Sequence, residues 1–347
     1  MQTRSWSHWL IALGALALAL LAPWVLPHNM TQLVDVMVFI LIALGWDMLG
    51  GQMGYNSFGN ILFFGIGMYL LASAQVWSGG YSLMVYNSAK GGNLESFGLN
   101  MPTFVLSLLL GLLAVAAINF VIGLIVGSQL LRMRGHYFAV GTLGLGVAAG
   151  EFAGTMDVLG AGSGMNFIQP PEGLELMPLL YYVALAIVAV FFIVLSWLYS
   201  TRFGFVMNAI RDNEDKAEAM GLPTAGVKAF AWAIAAFFTA MAGGIYGSAK
   251  NFIDPTEVAF SLPTVGVWML LMTLIGGKGT IWGPVAGAVI FQLFKEFFWT
   301  FLFGWQRVAL GLLIVVIVVF FPGGIMAGFQ RIASRLGIER KPAEAKS

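Results

Sequence analysis

Long apolar runs separated by short polar intervals organise this chain. Runs at residues 9–27, 33–49, 61–76, 102–127, 136–150, 178–199, 229–249, 263–275 and 285–302 approach or reach the length that crosses a hydrocarbon layer, and a tenth begins at Arg307. The first follows a short polar start with Arg4. It is long for a cleaved leader and no A-x-A site follows it, so it reads as a retained helix. The longest polar interval, residues 200–228, breaks the pattern most sharply. It holds Arg202, Arg211, Asp212, Glu214, Asp215, Lys216, Glu218 and Lys228. A charge at the centre of a membrane helix costs about 2.5–3.5 kcal/mol, so the cluster from Arg211 to Glu218 would cost on the order of 15 kcal/mol or more inside a bilayer. The interval therefore lies outside it.

That interval still carries a helical pattern. Phe205, Met207, Ala209, Ile210, Ala217 and Met220 supply apolar contacts, Gly221 offers a left-handed stop, and Pro223 prevents continuation. A charged helix between two spans reads either as a docking element or as a solvated connector. Two glycine-rich intervals, residues 50–60 and 276–284, also interrupt the runs. Irregular backbone at membrane depth is tolerated where it is buried in protein or lines a cavity, so these segments are either bends around a path or tight turns between packed helices.

Composition fixes the class. Of 347 residues, 59% are hydrophobic and 10% charged, against about 25% charged in soluble domains. The expectation is an all-α polytopic membrane protein of about ten transmembrane helices with short broken or re-entrant segments. One transmembrane bundle would cover residues 1–325 and a basic tail residues 326–347. The chain has no cysteine, which excludes disulfide and thiolate chemistry, and His8, His28 and His136 are too far apart in sequence for a histidine-cluster metal site. A net charge of +1 argues against a nucleic-acid partner. With 44 glycines, the pairs Gly123/Gly127, Gly146/Gly150, Gly243/Gly247 and Gly283/Gly287 are candidate close-packing motifs.

Charge also predicts sidedness. With ten spans, Arg4, Arg132, Arg134, Arg202, Arg211, Lys216, Lys228, Lys278, Arg331, Arg335, Arg340, Lys341 and Lys346 share one side, and Lys90, Lys250, Lys295 and Arg307 share the other. The positive-inside rule then makes residues 200–228 and both termini cytoplasmic.

Four stretches, in this order, resemble the permease subunits of branched-chain amino-acid ABC importers, the LivM-like family. They are GGQMGYNSFGNILFFGIGMY (50–69), LRMRGHYFAVGTLG (131–144), TRFGFVMNAIRDNEDKAEAMG (201–221) and LIGGKGTIWGPVAGA (274–288), with FFPGG (320–324) near the end. The resemblance runs from about residue 31 to 325 and implies a subunit of an importer in a prokaryotic inner membrane. It also implies a second homologous permease, two cytoplasmic ABC ATPase subunits, an extracytoplasmic binding protein and a small neutral solute. The ATPase-coupling loop would then contain Arg202, Gly204, Ala209, Ile210, Arg211, Asp212, Asn213, Glu214, Ala217 and Gly221. Gln52 and Asn60 stand where the family often has Tyr and His, and GAGSGMN (160–166) replaces a T-G-G-x-x-G loop. These departures leave the solute open between branched-chain amino acids and urea or short amides. A passive channel or ATP-independent carrier is the reading from another class.

The candidate translocation-path residues are Gln52, Ser57, Gly59, Asn60 and Asn119. Asn119 and Gln292 read equally as interhelical hydrogen-bonding groups. Asp35, Asp47 and Glu151 lie near predicted span ends and read as interfacial, His136 as a headgroup-zone residue, and Lys295 and Glu296 as snorkelling at the far interface. Acidic residues Glu95, Asp157, Glu172, Glu175, Asp254 and Glu257 are either contacts for a binding protein or ordinary solvated loop positions. GGKGT lacks the spacing of a phosphate-binding loop and no strand precedes it. No catalytic, metal or cofactor residues emerge, so ATP hydrolysis falls to a partner.

Overall fold

A peptide chain in lipid must satisfy its own backbone groups, which is why the apolar runs become helices. The computed structural model describes residues 6–89, 97–302, 304–305, 308–312 and 315–316. In chain order the helices are α1 (Trp6–Val25), α2 (Met30–Gly50), α3 (Asn60–Ser78), α4 (Leu83–Ser88), α5 (Met101–Leu130), α6 (His136–Thr155), α7 (Leu176–Ser200), α8 (Arg202–Ala219), α9 (Thr224–Lys250), α10 (Val267–Gly276) and α11 (Trp282–Phe301). Short helical turns at Pro255–Ala259 and Leu262–Gly266 lead into α10. A two-residue antiparallel pairing, Met165 opposite Ile253 and Asn166 opposite Phe252, ties the loop after α6 to the loop after α9.

Among the described residues, seven helices are long and apolar enough to cross a membrane: Pro27–Gly50, Asn60–Ser78, Met101–Leu130, His136–Thr155, Leu176–Ser200, Thr224–Lys250 and Pro255–Gly276. The run expected at 9–27 forms α1 and that at 285–302 forms α11. Most of the tenth run, FFPGG, the 326–347 tail, Arg4, Lys90, Glu95 and Arg307 lie outside the described residues.

The Ala- and Gly-rich α9 occupies the centre, packed by α2, α3 and α5. Small residues set how closely these backbones approach, because lipid offers helices no solvent-driven reason to associate. Gly123 of α5 lies against the backbone of Ala233, and Gly243 of α9 against that of Phe64 in α3. Gly283 and Gly287 bring α11 onto the end of α10 in the same way. Trp232 of α9 is fully buried and meets Phe63 and Phe138 edge-on, at 5.3 and 5.8 Å between centroids. The outer flanks of α1, α5 and α7 instead present Leu18, Leu106, Leu110, Ile125, Val190 and Trp197 outward, as lipid-facing helices should.

Candidate functional site

The charged interval forms the helix its pattern predicts. Its N-terminal part begins at Arg202, directly after the end of α7. Gly204 permits that tight entry: a Cβ there would stand 2.5 Å from the Tyr199 carbonyl oxygen. After α8, Gly221 takes φ 79° and α9 starts at Thr224, so Gly221 and Pro223 act as the expected stop. α8 is broken at Asn213 (φ −167°, ψ 107°). The Asn213 carboxamide oxygen accepts from the Lys216 N–H at 3.0 Å, capping the second half with Glu214 and Asp215 in its first turn.

The break sorts the side chains. Met207, Ile210 and Ala217 are buried against the bundle, and Ala209 is half-buried. Arg202, Arg211, Asp212 and Asn213 are exposed. Two large apolar side chains also face outward on this non-spanning helix: Phe205 is 62% exposed and Met220 69%. Glu214 does the opposite and turns inward, with its side chain 11% exposed. Its Oε1 accepts from the Lys228 ammonium at 2.5 Å, and its other oxygen accepts from the Tyr55 hydroxyl. Lys228, 4% exposed, also donates to the Leu131 carbonyl at 2.8 Å. Burial, and then the hydrogen bond to Glu214, push the Tyr55 hydroxyl well above the usual phenol range. Arg134, in the turn between α5 and α6, pairs with Asp215 and with Glu218 (2.9 Å). Those two carboxylates hold its guanidinium above the ordinary arginine value. The Thr224 hydroxyl, donating at 2.8 Å, and Arg134 hold the Glu218 carboxyl below its usual range.

The two glycine-rich breaks come together at this same end. The Asp47 carboxylate, buried at the end of α2, accepts from the Gly279 N–H at 2.7 Å, and no Cβ fits at Gly51 because Asp47 Oδ1 would lie 1.8 Å from it. Arg211 lies over both segments: its Cγ would be 3.5 Å from a Cβ at Gly54, and its Nη1 3.9 Å from one at Gly279. The first break is braced by one bond within itself and stitched to the bundle at two further points. Ser57 Oγ accepts from the Gly59 N–H (3.1 Å), Thr142 Oγ1 from the Phe58 N–H (3.2 Å), and Asn60 Oδ1 from the Trp232 indole N–H (3.1 Å). Gly59 is required because Trp232 Cζ2 would lie 2.4 Å from a Cβ.

Of the expected path residues, Gln52, Ser57, Gly59 and Asn60 are gathered and buried in this break. Asn119 stands apart on α5 and donates back to the Val115 carbonyl of its own helix at 2.9 Å. At the opposite end, Asp35 and Lys295 depart from the interfacial reading. Asp35 is buried and paired with Lys250 (3.0 Å) and Lys295 (3.1 Å). The Lys295 side chain is 13% exposed and does not snorkel. Glu151 is exposed, and Asp254 caps its own turn by accepting from the Thr256 and Glu257 N–H groups. Tyr55, Thr142, Trp232 and Gly279 complete the site without having been singled out in the sequence, and Arg134, read there only as a charge on the α8 side, joins them.

The family model described as "Branched-chain amino acid transport system / permease component" matches residues 30–321. The chain is 24% identical to the high-affinity branched-chain amino acid transport system permease protein LivM of Escherichia coli K12, over 91% of this chain and 74% of that one. It is 30% identical to the galactose/methyl galactoside import permease protein MglC of Salmonella typhimurium LT2, over 56% of this chain and 59% of that one. It is 31% identical to the autoinducer 2 import system permease protein LsrC of Escherichia coli O9:H4, over 57% of this chain and 56% of that one. No solved structure matches. A match across so much of the chain, on a polytopic helical frame, means that the protein belongs to the family of branched-chain amino-acid transport permease components.

Proposed function

We propose that this chain is the membrane-spanning subunit of an ATP-binding-cassette importer that carries branched-chain, neutral amino acids inward, with α8 as the element gripped by a cytoplasmic ATPase. The observation that carries the reading is α8 itself. It is a charged helix between two spans, exposing Phe205, Met220, Arg202 and Arg211 while Glu214 on its other face accepts from Tyr55 of the first glycine-rich break. Exposed apolar side chains ringed by charge are what a groove on a partner recognises. Asp35, Lys250 and Lys295 cluster at one end of the bundle and Arg134, Arg211 and Lys228 at the other; in this reading the second end, with α8, is cytoplasmic, and ten spans would bring both termini to the same side. The full assembly in this reading has a second homologous permease, two ATPases and an extracytoplasmic binding protein, set in a prokaryotic inner membrane. ATP-driven closure of the ATPase pair moves α8, and α8 moves the breaks that hold Gln52, Ser57, Gly59 and Asn60.

Amino-acid transport is favoured because the match to the LivM relative spans nearly the whole chain. The sugar-import and autoinducer permeases match over little more than half of it, which keeps a hydroxylated neutral solute as the second reading. The test is uptake of labelled leucine, urea and galactose by the reconstituted complex with and without ATP. Leucine uptake that requires ATP is the expected result, and ATP-independent flux of any of the three solutes would sink the importer reading. A second test is replacement of the exposed anchors. Phe205→Asp and Met220→Asp are expected to weaken association with the ATPase by about tenfold or more, read as co-purification, with the bundle's thermal unfolding unchanged.

A further inference from the structure

Glu214 is the feature of α8 that its sequence pattern explains least. Its charged neighbours Asp212 and Asp215 face solvent, whereas its carboxylate is drawn into the bundle. Four separate elements meet there. The carboxylate comes from the second half of α8 and the ammonium of Lys228 from the first turns of α9. The Leu131 carbonyl comes from the end of α5, and the Tyr55 hydroxyl from the first glycine-rich break. The ammonium lies 3.2 Å from the Tyr55 oxygen and 4.8 Å from that ring's centroid, so charge and ring face are both engaged. A cavity of about 240 Å³ opens beside the group, lined in part by Arg134, Glu214, Glu218 and Lys228.

We infer that Glu214, through Lys228 and Tyr55, is the positioning residue that transmits displacement of α8 into the Gly51–Gly59 break. This rests on the permease reading above and adds to it the internal linkage. The apolar contacts of α8 with the bundle, among them Met207, Ile210, Ala217 and the edge-on ring of Phe203 against Phe230, are surfaces that slide without a preferred register. Arg211 pairs with Asp212 of its own helix, and the pairs of Arg134 with Asp215 and Glu218 are solvent-exposed, where water and salt screen them; Arg134 Nε also lies 3.9 Å from Glu214, at the edge of the buried pair. A dehydrated ion pair is directional and costly to separate, so the two groups move together. Tyr55 passes the displacement along four residues of break to Gly59 and Asn60, where Trp232 holds the chain to the middle of α9. The neighbouring cavity gives the pair room to shift without repacking the core. Glu214 on this account does not touch the ATPase.

The experiment uses the reconstituted complex and reads three quantities for each variant: ATPase co-purification, ATP hydrolysis, and solute taken up per ATP hydrolysed. Glu214→Gln and Lys228→Met are each expected to lower uptake per ATP by about tenfold, the factor expected of one strong pair, with KM for solute and ATPase co-purification unchanged. The exchanged pair Glu214→Lys with Lys228→Glu is expected to recover at least about threefold over either single reversal. Tyr55→Phe keeps the ring and serves if the charge variants fail to assemble; a loss of about threefold in uptake per ATP is expected from one buried hydrogen bond. Unchanged uptake per ATP in Tyr55→Phe and in those charge variants that assemble would overturn the inference. So would a loss of ATPase binding in place of a loss of coupling, which would return Glu214 to the docking face. Absence of ATP-dependent uptake by the unaltered complex would strike the importer reading instead, and so separates the two failures.

Discussion

Gly243→Ala is expected to destabilise the bundle more than substitution at an exposed helical glycine. A Cβ at Gly243 would stand 2.0 Å from the Phe64 carbonyl oxygen, and one at Gly67 would stand 2.1 Å from that of Ala240. The two glycines thus mark one crossing, where α3 and α9 touch backbone to backbone. The obstruction is main chain on both sides, so no rotamer change relieves it, and one helix must back away along with its neighbours. Overpacking of this kind costs about 1–3 kcal/mol and sometimes more. Here it falls on the helix that α2, α3 and α5 all pack against. Thermal unfolding of the solubilised protein, with the yield of monodisperse material, measures the effect. Gly144→Ala is the control: it is exposed on α6 with nothing within 4 Å of an added Cβ, and alanine favours helix. Equal unfolding midpoints for the two variants would refute the close-crossing account.

Where this chain's structure is local, its residues announce it. The apolar runs mark the spans, and charge density marks α8 as excluded from lipid. Gly221 and Pro223 mark where α8 ends, and the observed φ of 79° at Gly221 is the conformation that glycine adopts most freely. The interruption of α8 at Asn213 was also available in principle, since Asn followed by Glu and Asp is an N-cap followed by an acidic first turn. It was obscured because apolar positions continue at helical spacing on both sides. What the residues could not announce is partnership across the fold. Asp47 and Gly279 are 232 positions apart, and Asp35 and Lys295 are 260 apart. An acid near the end of an apolar run is consistent with a headgroup zone or with a buried partner, and only the packing of α2 on α11 decides between them. Glu214 poses the same problem at shorter range. Nothing in the string RDNEDK distinguishes the carboxylate that turns inward from those that stay in water, because the answer depends on where Lys228 and Tyr55 are delivered by other elements.

Asp35→Asn is expected to be the most damaging single change of charge. The aspartate is the shared partner of two ammonium groups, Lys250 at 3.0 Å and Lys295 at 3.1 Å, at the junction of α2, α9 and α11. Removing one member of a buried pair costs about 3–5 kcal/mol, chiefly because the other charge stays buried without compensation. In this case two cations are left facing one another. Lys295 lies 4.8 Å from the Phe39 ring centroid and 5.3 Å from that of Trp268, but ring faces recover only about 0.5–2 kcal/mol of a lost ion pair. The double variant Asp35→Asn with Lys295→Met should therefore unfold closer to the unaltered protein than Asp35→Asn alone, since it removes the stranded charge and keeps the apolar stem. Because this cluster sits at the end of the bundle away from α8, its loss should lower the unfolding midpoint while leaving the uptake achieved per ATP by surviving complexes near normal, the reverse of what is expected at Glu214. An Asp35→Asn protein as stable as the original would mean that water reaches Lys295 as it already reaches the half-buried Lys250, and that the Asp35–Lys295 pair is not dehydrated.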